Sequence, residues 1–113
     1  MARFVKGDII LLPFPFSGEE NYKHRPALVL ACWSYAGDTD YLVCLITTQR
    51  ADDPYLMELF PADTFGASLT QTCYLRPTYL FAPDERIVSR RMDRLRPEKL
   101  EQIVQIIVKV LTG

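Results

Sequence analysis

The chain reads as an α+β, mainly β protein: a small antiparallel barrel, strongly curved, with one C-terminal helix. Three observations predict this. Short apolar runs recur along the first four-fifths of the sequence, turn residues and prolines separate them, and helical periodicity is confined to the stretch after Pro97.

Ile9 to Leu12 is wholly apolar and too short for an independent helix, so it reads as a strand buried on both faces. Pro13 and Pro15 limit ladder hydrogen bonding and predict that this strand finishes at an edge, a bulge or a barrel rim. Ser17 to Asn21 is turn-like. The chain returns through Pro26, which biases Arg25 towards an extended conformation, into a second buried strand from Ala27 to Ala31.

Trp33 to Asp40 reads as a loop, because glycine, serine and aspartate interrupt the periodicity. A third apolar strand is expected from Tyr41 to Thr48, a polar loop from Gln49 to Pro54, and a short fourth strand from Tyr55 to Phe60. Pro61 to Gly66 resembles a turn or a single helical turn. Cys73 to Arg76 and Ile87 to Met92 complete the strands, with Asp84-Glu85 marking a turn between them.

Pro97 suits a first helical position, Glu98 and Glu101 favour the positive end of the dipole, Lys109 lies near the negative end, and Gly113 is placed to follow the terminus. Leu100, Ile103, Val104, Ile107 and Leu111 fall on one stripe. Ile106, Val108 and Val110 widen it to an arc of roughly 200°, more than one sheet face needs. The excess is available to a partner or to a second copy.

The 113 residues fit a single domain, 1–113, with no internal repeat, low-complexity tract or linker. A hydrophobic share of 49% supports a small core that leaves apolar surface for self-association. The formal net charge of −1 argues against a nucleic-acid coat that is basic throughout, yet is compatible with a local basic groove. Nine arginines against four lysines favour forked phosphate contacts. Cys32, Cys44 and Cys73 are odd in number, lie in apolar contexts, and are expected as buried reduced thiols. The first eight residues lack an apolar signal core, and Gln105 and Lys109 interrupt the last apolar stretch. The expectation is a cytoplasmic protein without a membrane span.

Five blocks carry a resemblance. They are Gly7-Asp8, the Phe14-Pro15-Phe16-Ser17 tip, Arg25-Pro26-Ala27-Leu28-Val29-Leu30, Val43-Cys44-Leu45-Ile46-Thr47-Thr48-Gln49, and Arg94-Leu95-Arg96-Pro97-Glu98-Lys99-Leu100. In this order and spacing the chain resembles the PemK/MazF family, toxin endoribonucleases of type II toxin–antitoxin pairs. The resemblance implies an SH3-like barrel, a homodimer and a cognate antitoxin. It also implies sequence-selective, metal-independent cleavage of single-stranded RNA, an mRNA interferase activity leaving 2′,3′-cyclic phosphate and 5′-hydroxyl ends without a cofactor. Cys73 stands where relatives often carry serine, so any hydroxyl contact made there is absent. Relatives on the same barrel poison DNA gyrase by binding alone, and a decoy that only titrates antitoxin is a third reading.

RNA is cut without a metal when the ribose 2′-hydroxyl attacks the neighbouring phosphate, so the protein has to orient the strand, move protons and stabilise the phosphorane. Arg25 is the candidate for the scissile phosphate, because its fork binds two oxygens and stays protonated. The bland alternative is a salt bridge to Glu19 or Glu20. Thr47 matches the family's strand-end threonine and is its candidate catalytic partner by resemblance. Thr48 competes, since adjacent strand residues point to opposite faces. An unassisted threonine is too weak an acid to serve as general base.

His24 is the sole histidine, which excludes a paired-histidine mechanism within one chain; it is a candidate RNA contact and not a catalytic one. No recognisable metal-ligand spacing exists, and Asp52-Asp53 reads as a solvated turn. Phe14, Phe16 and Tyr22 are candidates for base stacking, with Phe16 expected to be the most exposed, although core packing more readily explains each of the three. Ser17, Lys23, Gln49, Arg50 and Arg76 complete the expected RNA contacts. Arg86, Arg90, Arg91, Arg94 and Arg96 alternate with acids, so surface ion pairing is expected there.

Overall fold

Successive side chains along the central strands turn to opposite faces of one sheet, and both faces carry apolar material. The computed structural model describes residues 2–14, 23–50 and 52–113. Six strands form one antiparallel sheet: β1 (Asp8–Phe14), β2 (Lys23–Tyr35), β3 (Asp38–Thr47), β4 (Met57–Leu59), β5 (Cys73–Phe81) and β6 (Arg90–Arg94). Their spatial order is β4-β5-β3-β2-β1-β6, and the helix α1 (Pro97–Thr112) follows the last of them.

Ile9, Leu28, Cys44, Ile46 and Leu75 point to one face, where Ile103 and Ile107 of α1 join them. Their neighbours Ile10, Ala27, Val29, Val43 and Leu45 point to the other, against Phe4, Tyr41 and Val88. Burial on both faces therefore explains the unbroken apolar run at the start of β1. Register shifts between Ile9 and Ile10, Val29 and Ala31, and Cys44 and Leu45 insert bulges, which bend the strands and curl the sheet.

The two ends of the strand order are drawn together by the segment after β4. Thr64 bridges to Leu95, Phe65 N–H donates to Arg94 O at 2.9 Å, and Arg96 N–H donates to Asp63 O at 2.8 Å. Asp93 fastens this seam. Its buried carboxylate accepts the N–H of Gly66 at 2.8 Å, of Ser68 at 3.1 Å and of Arg94 at 2.7 Å, and the Ser68 hydroxyl at 2.5 Å. Burial pushes that carboxyl upward, but the Ser68 hydroxyl and these N–H groups outweigh it and hold it far below the usual carboxylate range.

Several elements differ from the sequence reading. The expected loop from Trp33 to Asp40 is a tight hairpin in which Tyr35 pairs with Asp38. Ala36 and Gly37 make its turn with φ of 48° and 85°, the left-handed pair of a type I′ turn, without the Asn-Gly signature. β1 runs through Pro13 to Phe14, β5 continues through Pro77 to Phe81, and β4 is shorter than expected. Ile87 belongs to a 3-10 turn at Glu85–Ile87 and is exposed, so β6 begins only at Arg90. Cys32 is exposed, whereas Cys44 and Cys73 are buried. Arg86 pairs with Asp84 at 2.9 Å, and Arg94 with buried Asp8 at 3.1 Å, in keeping with ion pairing in that stretch. No helix among the described residues is long and apolar enough to cross a membrane.

Candidate functional site

Antiparallel register delivers the site. Ala27 of β2 pairs with Leu45 of β3, and Arg25 and Thr47 each lie two residues beyond that pair, one on each strand. Period-two alternation then carries both to the same face. They line a cleft of about 240 Å³ together with Leu45, Ile46, Gln49, Arg50, Arg76 and Tyr79. Thr48, one residue on, lines a separate cleft of about 140 Å³ with Pro26, Ser68, Leu69, Thr70, Gln71, Cys73 and Met92.

β5 supplies the far wall through an unusual bulge. Cys44 pairs with Leu80, but Leu45 pairs with Arg76, so Pro77, Thr78 and Tyr79 are looped out between consecutive β3 partners. The loop brings Tyr79 to the cleft, and the Arg76 guanidinium lies over its ring at 5.7 Å. Beneath it, the Cys44 thiol donates to Arg76 O at 3.1 Å, and burial pushes that thiol up to about 12.

Three arginines therefore surround one threonine. Arg25 is half-buried, Arg76 is 31% exposed along its side chain, and Arg50 is open at 71% with a loose pair to Glu58 at 3.6 Å. The Thr47 hydroxyl accepts the Gln49 N–H at 3.1 Å, which fixes its oxygen and leaves its proton to donate. Chemically the cleft offers fixed positive charge and a hydroxyl donor to an anion, with Gln49 and Tyr79 at its margin.

The structure thus brings together Arg25, Thr47, Gln49, Arg50 and Arg76. It sets Thr48 apart and leaves His24 exposed, opposite Pro13 and not in the cleft lining. Lys23 opens β2 opposite Phe14, and the side chains of both, like Phe16, Ser17 and Tyr22 entirely, lie outside the described residues. Two further residues escaped sequence reasoning. Tyr79 reaches the cleft only because of the bulge, which no local pattern signals. Asp53, read as part of a solvated turn, has a side chain only 4% exposed and pairs with Arg76 at 3.6 Å. Among the described residues no group of three or more His, Cys, Asp or Glu side chains is arranged to hold a metal ion.

Residues 5–111 match the family model described as PemK-like, MazF-like toxin of type II toxin-antitoxin system. Among solved structures, the fold is similar to that of an endoribonuclease in complex with its cognate antitoxin from mycobacterial species. The TM-score is 0.69 at 16% identity, over 96% of this chain and 94% of that one. Among curated proteins none matches the chain significantly.

Proposed function

Because the chain belongs to the PemK-like, MazF-like toxin family of type II toxin–antitoxin systems, we propose that it is an endoribonuclease that cuts single-stranded RNA in the cytoplasm without a metal or cofactor. The observation that carries this reading is the shared cleft, where Arg25 and Thr47 meet two further arginines. RNA lies with its scissile phosphate against Arg25, whose fork stabilises charge on the phosphorane as the 2′-hydroxyl attacks. Thr47 donates its hydroxyl proton to a phosphate or ribose oxygen. Arg50 and Arg76 hold flanking phosphates, and Gln49 contacts a base edge. The products carry 2′,3′-cyclic phosphate and 5′-hydroxyl ends.

A homodimer and an acidic antitoxin segment that competes for the arginines complete the proposal. Val108 and Leu111 on α1, 47% and 73% exposed, supply apolar surface for such contacts.

The test is cleavage of a long unstructured RNA by purified protein in excess EDTA, comparing wild type with Arg25→Ala. Discrete cuts with 5′-hydroxyl ends, lost in the variant, are expected. Folded, antitoxin-free protein that leaves the RNA intact would overturn the reading in favour of a toxin that acts by binding alone.

A further inference from the structure

Asp53 stands in a polar loop, yet its carboxylate is turned inward and committed. Its Oδ1 accepts the Tyr55 N–H at 2.9 Å, and its Oδ2 accepts the Thr78 hydroxyl at 2.6 Å while lying 3.6 Å from Arg76 Nε. It therefore ties the loop after β3 to the looped-out segment of β5, next to Arg76, the last paired residue before that segment. The ion pair lies at the inner, Nε edge of the guanidinium, whose terminal nitrogens donate to no acceptor among the described residues. Tyr79 supports the guanidinium plane from below.

We propose that Asp53 is a positioning residue: it holds Arg76 so that its terminal nitrogens grip a phosphate flanking the scissile one. This rests on the ribonuclease reading above and adds to it a residue that never touches RNA. The hydrogen bond from Thr78, ahead of that from the Tyr55 N–H and the nearby positive charge of Arg76, outweighs burial and keeps the carboxyl below its usual range and so charged under working conditions. Bracing the loop alone needs only an uncharged hydrogen-bonding partner for each of Tyr55 N–H and the Thr78 hydroxyl. Orienting the guanidinium needs the charge.

Asp53→Asn separates these roles, since the amide oxygen still accepts the Tyr55 N–H and the amide NH2 can donate to the Thr78 hydroxyl, which turns to accept, while the charge is lost. Steady-state cleavage by wild type, Asp53→Asn, Arg76→Ala and the double variant is compared, together with binding of an oligonucleotide deoxy-substituted at the cut. Asp53→Asn is expected to raise KM about tenfold with kcat within about twofold. It should also flatten the dependence of log affinity on log salt by about 0.7, the share of one single-strand phosphate. In the Arg76→Ala background it should add nothing. Thr78→Val, which keeps the carboxylate and removes one of its donors, gives a smaller shift in the same direction and serves if Asp53→Asn unfolds. Wild-type KM and salt dependence in Asp53→Asn, or an equal loss with and without Arg76, overturns the role of Asp53 and leaves the ribonuclease reading standing. Wild-type protein that neither cuts nor binds overturns both.

Discussion

Arg25 and Thr47 lie on neighbouring antiparallel strands, each two residues beyond the Ala27–Leu45 pair, and line one cleft, while Thr48 lines another. A single step past the end of β3 thus separates two chemically identical side chains into different surroundings.

Thr47→Val should lower kcat at least about tenfold, the scale of one hydrogen bond made in the transition state. Thr48→Val should leave kcat within about threefold and act instead on which sequences are cut. Initial rates on a fluorogenic RNA, with mapping of the cut sites, distinguish them; equal losses of kcat would sink the assignment.

Asp93 makes acid stability a local matter. Its carboxyl is depressed in the folded protein, so the unfolded chain takes up the proton first as pH falls. The stability it supplies is complete above the unfolded value of about 3.9 and is lost progressively below it. Asp93→Asn should flatten that acid limb in urea titrations run at successive pH values. Asp93→Ala, which removes the charged acceptor shared by the Gly66 and Ser68 N–H groups, should cost about 2 kcal/mol at neutral pH.

The hairpin turn is suboptimal. Ala36 sits at φ 48°, a conformation that costs an alanine more than an asparagine. Ala36→Asn, which creates the favoured Asn-Gly pair ahead of Gly37, should stabilise the fold by about 0.5–1 kcal/mol, read as a raised Tm. An unchanged or lowered Tm would count against the turn geometry.

The thiols should divide by burial. Cys44 is fully buried, its pKa is pushed up to about 12, and it is hydrogen-bonded to Arg76 O, whereas Cys32 is exposed. Iodoacetamide at about pH 8 should modify Cys32 in native protein and reach Cys44 only after denaturation, as peptide mass spectrometry would reveal. Modification of Cys44 at the rate of Cys32 would contradict the packing.

Much of this was legible where physics is local. The unbroken apolar run from Ile9 to Leu12 announces a strand covered on both sides, and Pro97 with the stripe through Ile103 and Ile107 announces the helix. What stayed hidden depends on pairing. Cys32 lies in the same apolar stretch as Leu28 and Leu30, but the bulge between Val29 and Ala31 and the long hairpin carry it out to solvent. Ala36-Gly37 forms a turn its residues do not advertise. Arg25 and Thr47 could be named together from the resemblance, but which threonine shares the cleft depends on register. Asp53 and Tyr79 enter through a bulge in a strand that the sequence shows only in part.

β1 draws its two neighbours from distant parts of the chain: Ile10 pairs with Ala27 on one side and with Arg91 on the other. During synthesis on the ribosome, β1 can pair with β2 early, but its outer edge stays bare until residues 90–94 have emerged. Only then can the seam between Thr64 and Leu95 shut. This order of assembly is a form of timing. The sheet that carries the cleft is unfinished until β6 arrives, so the last strand to be made also completes the frame on which Arg25 and Thr47 are held.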